Sequence, residues 1–396
     1  MLTCNSHGEN WPCWRGPRLD GTSEERNLPL HWNAQSNLVW SAALPGTGHA
    51  SPIIWQDKIF IVAAVPDSAT RELLCLDSGT GRTEWEQEVL ASPLEHKHSL
   101  NSYASSTPAT DGTSVFVAFL ERDKMYAAAY DLAGNKKWGV HPGPFASMHG
   151  FCSSPILYQD KVILNGDHDG DSYLVALSRV DGHILWKTPR QNHTRSYCAP
   201  LIAQMAGHDQ MVLSGDKCVA SYDPKSGKQN WVIDGPTEQF VASPVYSRDC
   251  SLVVITGGFP DHHILAIRPD GEGNVTDTHI AWRTTQGAAY VPSPIIAGKY
   301  FLIISDSGVA HCFEAATGKL CWKERLGEQH ASLVSADGLV FFLNDKGVMN
   351  VIKPGPEFQC VAQNEIGEKC FASPAICGGR IFLRGENHLF CIAQDR

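Results

Sequence analysis

The chain has 396 residues, with 32 Lys and Arg against 42 Asp and Glu, a formal net charge of −10 at neutral pH, and no long basic run. That balance argues against nucleic acid and anionic membrane surfaces as partners. Hydrophobic content of 43% and charge of 19% are ordinary for a globular protein, and no apolar run approaches the length of a membrane-spanning helix.

The start, Met1-Leu2-Thr3-Cys4-Asn5, lacks the basic and apolar regions of a secretory signal. Leu2-Thr3-Cys4 is similar to the end of a lipoprotein signal. Residues 1–36 read as an N-terminal extension packing on the body of the protein, and residues 37–396 as one repeat array. Within it a short phrase returns eight times before an apolar run: Ser51-Pro52, Thr107-Pro108, Ser154-Pro155, Ala199-Pro200, Ser243-Pro244, Ser293-Pro294, a degenerate Ser332-Leu333, and Ser373-Pro374. Intervals such as 56, 47, 45 and 41 residues are those of four-stranded propeller blades.

Each copy reads the same way. After the Pro come two or three apolar residues, a polar turn and a second apolar run, as in Ile53-Ile54, Gln56-Asp57-Lys58, Ile59-Phe60-Ile61-Val62. These are β-hairpins. A third run ends in an acidic residue, then a Gly-bearing turn, then a Trp. Asp77 to Trp85, Asp223 to Trp231 and Glu314 to Trp322 are each eight apart, and Asp131 to Trp138 is seven. Gly81, Gly227 and Gly318 supply the positive φ of that turn, and the Trp residues, Trp186 and Trp282 included, are read as wedges between blades. The last copy has three strands and stops at Arg396, while Asn37 to Ala42 looks like a fourth strand with nothing before it. Pairing the two predicts a single all-β, eight-bladed propeller of four-stranded antiparallel blades. An N-terminal strand beside the C-terminal ones would close its ring and leave no open sheet edge.

Thirteen cysteines include no C-x-x-C and no adjacent pair, and the odd number leaves at least one thiol free. Cys75, Cys312 and Cys391 hold equivalent places in three repeats, where a small buried residue is wanted.

The Asp-x-x-Thr/Ser-Gly-Lys turn with its trailing Trp resembles the PQQ-like β-propeller repeat family over essentially the whole chain. That family includes quinoprotein alcohol dehydrogenases and the non-enzymatic outer-membrane assembly factor BamB. Trp11-Pro12-Cys13-Trp14-Arg15-Gly16-Pro17, Gly48-His49-Ala50-Ser51-Pro52, Thr194-Arg195-Ser196-Tyr197-Cys198, Ala266 to Gly271 and Thr278 to Trp282 are similar to a planctomycete-type bacterial subgroup of it. The resemblance implies a periplasmic or otherwise exported home, the native signal peptide being absent from this sequence. Many quinoprotein dehydrogenases carry an adjacent Cys pair, a stacking Trp and a Ca²⁺ site with an Asp base. This chain has no Cys-Cys, and no Ca²⁺ ligand set falls on matching positions.

The connections from one blade's outer strand to the next blade's inner strand should converge on one face, around the channel. They carry His49, Asn101, Tyr103, His149, Arg190, Arg195, Tyr197, Phe240, Tyr290, His330 and Phe371. Such a ring of flat faces and hydrogen-bond donors suits a polar or sugar-like ligand; the same side chains could also plug the channel and satisfy one another. Arg190 and Arg195 beside Tyr197 could clamp a carboxylate or phosphate, or serve as inter-blade ion pairs. Asp167, Asp169 and Asp171 begin like a Ca²⁺ loop, but Ser178 stands at the twelfth position where Glu is needed. His96, His98, His262 and His263 read as surface-loop histidines without a third metal ligand.

The expectation is therefore a monomeric, non-catalytic binding or scaffold propeller that takes a small polar ligand or a protein partner at the funnel face, with no cofactor. The alternatives are a PQQ- and calcium-dependent alcohol or sugar dehydrogenase, and, on fold analogy alone, a polysaccharide lyase or hydrolase.

Overall fold

The alternating apolar runs fold as the repeat predicts. In a computed structural model that describes residues 8–33 and 35–394, there is no helix, and eight separate sheets each hold four antiparallel strands. Leu2-Thr3-Cys4 lies outside the described residues. The first blade is Ile53–Trp55, Lys58–Val65, Thr70–Asp77 and Thr83–Ala91, paired in that order. The two middle strands of a blade are covered on both faces by its neighbours, so they are apolar without alternation. Lys161–Gly166 is buried throughout, whereas the outer Ile184–Pro189 alternates exposed and half-buried.

The ring closes as expected. Leu38–Ala43 is the fourth strand of the last blade, antiparallel to His388–Ala393, with Trp40 opposite Cys391 and Ala43 opposite His388. One addition was not legible in the sequence. The fourth blade gains a short fifth strand, Gly273–Asn274, lent by the loop of the fifth and parallel to Gln229–Asp234.

The turn glycine and the trailing Trp act as a pair across the blade boundary. A Cβ on Gly81 would sit 2.5 Å from the ring of Trp40, and one on Gly182 or Gly318 within 2.7 Å of Trp138 or Trp282. Each indole N–H also donates to a carbonyl of the turn it covers: Trp40 to Ser78 at 3.1 Å, Trp138 to Arg179 at 2.9 Å, Trp282 to Ala315 at 2.9 Å. Glycine is required there because the neighbouring ring occupies the space of a side chain and because φ is positive.

The Ser/Thr before each Pro has a comparable role near the channel. Its hydroxyl accepts the backbone N–H of the equivalent residue one blade earlier: Ser51 to Thr107, Thr107 to Ser154, Ser243 to Ser293, Ser293 to Ser332, Ser332 to Ser373. The repeat phrase thus links the first three blades in one run of hydrogen bonds and the fifth to eighth in another.

Residues 8–33 lie across the face of the ring that carries the first hairpin turns. Trp11 bridges Ile54, the Thr110 N–H donates to Pro12, Arg15 donates to the carbonyl of Pro294, Thr22 bridges Ser335, and Trp32 takes the side chain of Asn364. These contacts tie four blades, the first, second, sixth and seventh, to one segment.

Candidate functional site

The opposite face is open. There a cavity of about 1230 Å³ is walled by the blade-to-blade connections and floored by inner-strand residues including Ser154, Ser293, Ser332 and Ser373. Of the residues expected at the funnel, His49, Asn101, His149, Tyr197, Tyr290, His330 and Phe371 line it. Tyr103 lies instead in an adjoining crevice of about 350 Å³, with Lys97 5.0 Å above its ring.

Many of these groups hold one another. The His49 ring stacks on Phe371 at 4.7 Å, and His330 lies 5.6 Å from Phe371 on another side. Asn101 donates to the carbonyl of His149 at 2.7 Å, and the Tyr290 hydroxyl to Gln239 at 3.0 Å. The Tyr197 hydroxyl is bonded to Ser147. His330 Nδ1 is 2.7 Å from Asp345. His149, 6.1 Å from Tyr197, has no side-chain hydrogen bond of this kind.

Burial, with the nearby Arg384 guanidinium, pushes His49 down to about 4. Burial and Arg195 lower His149. His330 goes the other way: burial acts to lower it, but the hydrogen bond and charge of Asp345 hold it above its ordinary value.

Arg190 and Arg195 do not form a clamp at the cavity. Arg190 is 4% exposed, and its Nε donates to Asp167 at 2.8 Å while it also bonds Tyr222 and the carbonyl of Gly215. It is a buried tie between the third and fourth blades. Arg195 pairs with Asp169 at 2.6 Å. The three acids of the candidate calcium loop therefore diverge. Asp167 is buried against Arg190, Asp169 turns to Arg195, and Asp171 is fully exposed. Phe240 is wholly buried and takes no part in the lining.

Several lining residues were not foreseen. The turns between second and third strands reach the same face, bringing Gly258 to Pro260 and Ser305 to Ser307 to the wall. The placement of Asp167 to Asp171 in such a turn was the available signal. His98 and His262, read as surface-loop histidines, belong to the lining too. Trp14 rises from the N-terminal segment to join it, its indole N–H held by Ser243 at 3.1 Å.

Among the described lining residues the formal charges are Asp306 and Lys323. The Asp306 carboxylate accepts the backbone N–H groups of Tyr290 and Val291. Calcium takes six to eight oxygen ligands, and among the described residues no cluster of three His, Cys, Asp or Glu could hold a metal ion. Cys152 is the one thiol in the lining, pushed up to about 12 by burial and so a poor nucleophile. The twelve described cysteines are all free.

A family model of PQQ-like repeats, described as outer membrane protein assembly factor BamB, matches residues 25–141, 108–268 and 261–353. The chain belongs to that family. BamB-like membership agrees with solved structures of the same fold. BamB from Moraxella catarrhalis superposes with a TM-score of 0.63 at 12% identity, over 90% of this chain and 99% of that one. A europium-containing methanol dehydrogenase gives 0.59 at 11% identity, over 96% and 90%. A computationally designed protein, Ika8, gives 0.61 at 10%, over 89% and 98%. At these identities the likeness is one of fold. No curated protein sequence matches the chain.

Proposed function

We propose that this chain is a non-catalytic binding propeller, exported and monomeric, that takes a polar ligand or a segment of a protein partner into the open funnel. One observation carries the reading: the cavity of about 1230 Å³ gathers hydrogen-bonding and aromatic side chains from connections all around the ring, while residues 8–33 lie across the other face. It exceeds the usual size of small-ligand pockets. The lining offers no nucleophile with a base beside it and no metal-holding cluster among the described residues, which supports binding over turnover. The exported setting rests on the family description, an outer membrane assembly factor.

Two measurements test this. Addition of PQQ and Ca²⁺ should give no quinone absorbance and no dye-linked turnover of alcohols or sugars; a clear signal would overturn the binding reading in favour of the dehydrogenase. Once a ligand or partner is in hand, His149→Ala and Tyr290→Phe should weaken it with the melting temperature nearly kept, because Tyr290→Phe gives up one hydrogen bond, to Gln239, of about 1 kcal/mol. Loss of stability with intact binding would place the ligand on another surface.

A further inference from the structure

The charge balance of the cavity says what kind of ligand it would take. We infer that the funnel binds a neutral oligosaccharide, stacked on Trp14 at its floor; this rests on the proposed binding function and narrows it.

The first argument is electrostatic. An anionic ligand entering a partly desolvated site needs arginine or lysine partners, because a buried charge without them is costly. The two arginines of the connection into the fourth blade are already committed to Asp167 and Asp169. Lys323 is the remaining lining side chain with a full positive charge, and Asp306 opposes it. His330 carries its own counter-charge in Asp345, and His49 is held neutral by burial and Arg384. Neither an acidic nor a basic chain finds a surplus of opposite charge.

The second argument is shape. Trp14 and Tyr290 are only partly buried, and Phe259 is 54% exposed. These are flat apolar faces for the C–H face of a sugar ring. Between them, the Gln239 amide N–H group, Gln286, Thr285 and His149 offer uncharged donors and acceptors for hydroxyl groups. An extended peptide would instead seek the free backbone edge of an inner strand. Two of those edges are taken by the N-terminal segment, through the Trp11–Ile54 and Thr22–Ser335 bridges.

Trp14 is then a ligand-contacting residue delivered by a segment outside the blades. Its partner Ser243 is 229 residues away and fixes the indole across the floor.

The test is calorimetric titration of the full chain with cellopentaose, maltopentaose and mannopentaose, beside a galacturonate pentamer and a set of extended peptides. At least one neutral sugar should bind and change the tryptophan emission, with the galacturonate pentamer weaker by tenfold or more. Trp14→Ala should cost at least tenfold in affinity. Trp14→Phe, which keeps a ring but loses the Ser243 bond, should recover most of it, which a purely structural Trp would not show. Failure of all three neutral sugars at millimolar concentration overturns the inference. So does tighter binding of the galacturonate or a peptide; if His149→Ala weakens that ligand, the funnel remains a binding site of another class. A ligand or partner indifferent to Trp14, His149 and Tyr290 alike would sink both the inference and the binding function assigned to this face.

Discussion

The two faces of the ring are built from the same repeats and end in opposite states. On the face of the first hairpin turns, residues 8–33 bond largely to backbone, from Ile54 in the first blade to Ser335 in the seventh. On the other face the connections differ in length and sequence, and their side chains stand around a cavity. Backbone pairing covers a surface whatever the side chains are. Side chains that converge without a covering segment must satisfy one another or meet a ligand, since an unpaired buried polar group costs about 1–3 kcal/mol.

Truncation separates the contributions on the covered side most sharply. Removing residues 1–44 takes both the covering segment and Leu38–Ala43, leaving His388–Ala393 as an open edge; aggregation or the largest fall in melting temperature should follow. Removing residues 1–33 keeps the closing strand and should cost distinctly less, while taking Trp14 away from the floor of the cavity. Equal melting of the two truncations would show that the strand does not hold the ring.

On the open side, Arg190 and Arg195 sharpen the contrast between a side chain that builds the wall and one at its edge. Arg190→Ala strands the Asp167 carboxylate in the interior and should cost about 3–5 kcal/mol in urea unfolding. Arg195→Ala breaks a half-exposed pair and should cost about 0.2–1 kcal/mol. Comparable losses would mean that Arg195 is as much a part of the framework as Arg190.

A smaller, pH-dependent effect distinguishes the two histidines flanking Phe371. His49 falls to about 4 in the folded chain. Between that value and the ordinary histidine value of about 6.5, the unfolded chain binds the extra proton, so stability declines as pH falls through this window. His49→Gln should remove part of that acid decline. His330 is raised, so its contribution is fully present below the ordinary value and is lost as pH rises through its folded value. His330→Gln should flatten the neutral side of the curve. Thermal melts from pH 4 to 8 that leave either slope unchanged would remove that residue from the account.

The smallest expected effect is none. Stripping with a chelator should leave the melting temperature unchanged, because Asp167, Asp169 and Asp171 point to different partners. A reversible gain of several degrees specific to Ca²⁺ would overturn this, since binding to the native state alone must stabilise it.

The readable part of the site followed from topology. Placing the blade connections on one face brought His49, Asn101, His149, Tyr197, Tyr290 and His330 together before any coordinates. It did not tell which arginines would be consumed by buried acids. Arg190 and Arg195 stand five apart in one connection, and only packing against Asp167 and Tyr222 buries the first of them.

By itself the sequence determined the blade number, the strand order within a blade, the closing strand and the recurrence of a turn glycine and an outer tryptophan. These depend on local periodicity and on spacings that recur eight times, so each copy corroborates the others. Only the tertiary structure decided that Trp14 floors the cavity, that His98 and His262 join its wall, and that the cavity is poor in charge. Those features depend on contacts between residues tens to hundreds of positions apart, occurring once each, where no repeat exists to reveal them and where the balance of burial against pairing is set by neighbours the chain brings together only on folding.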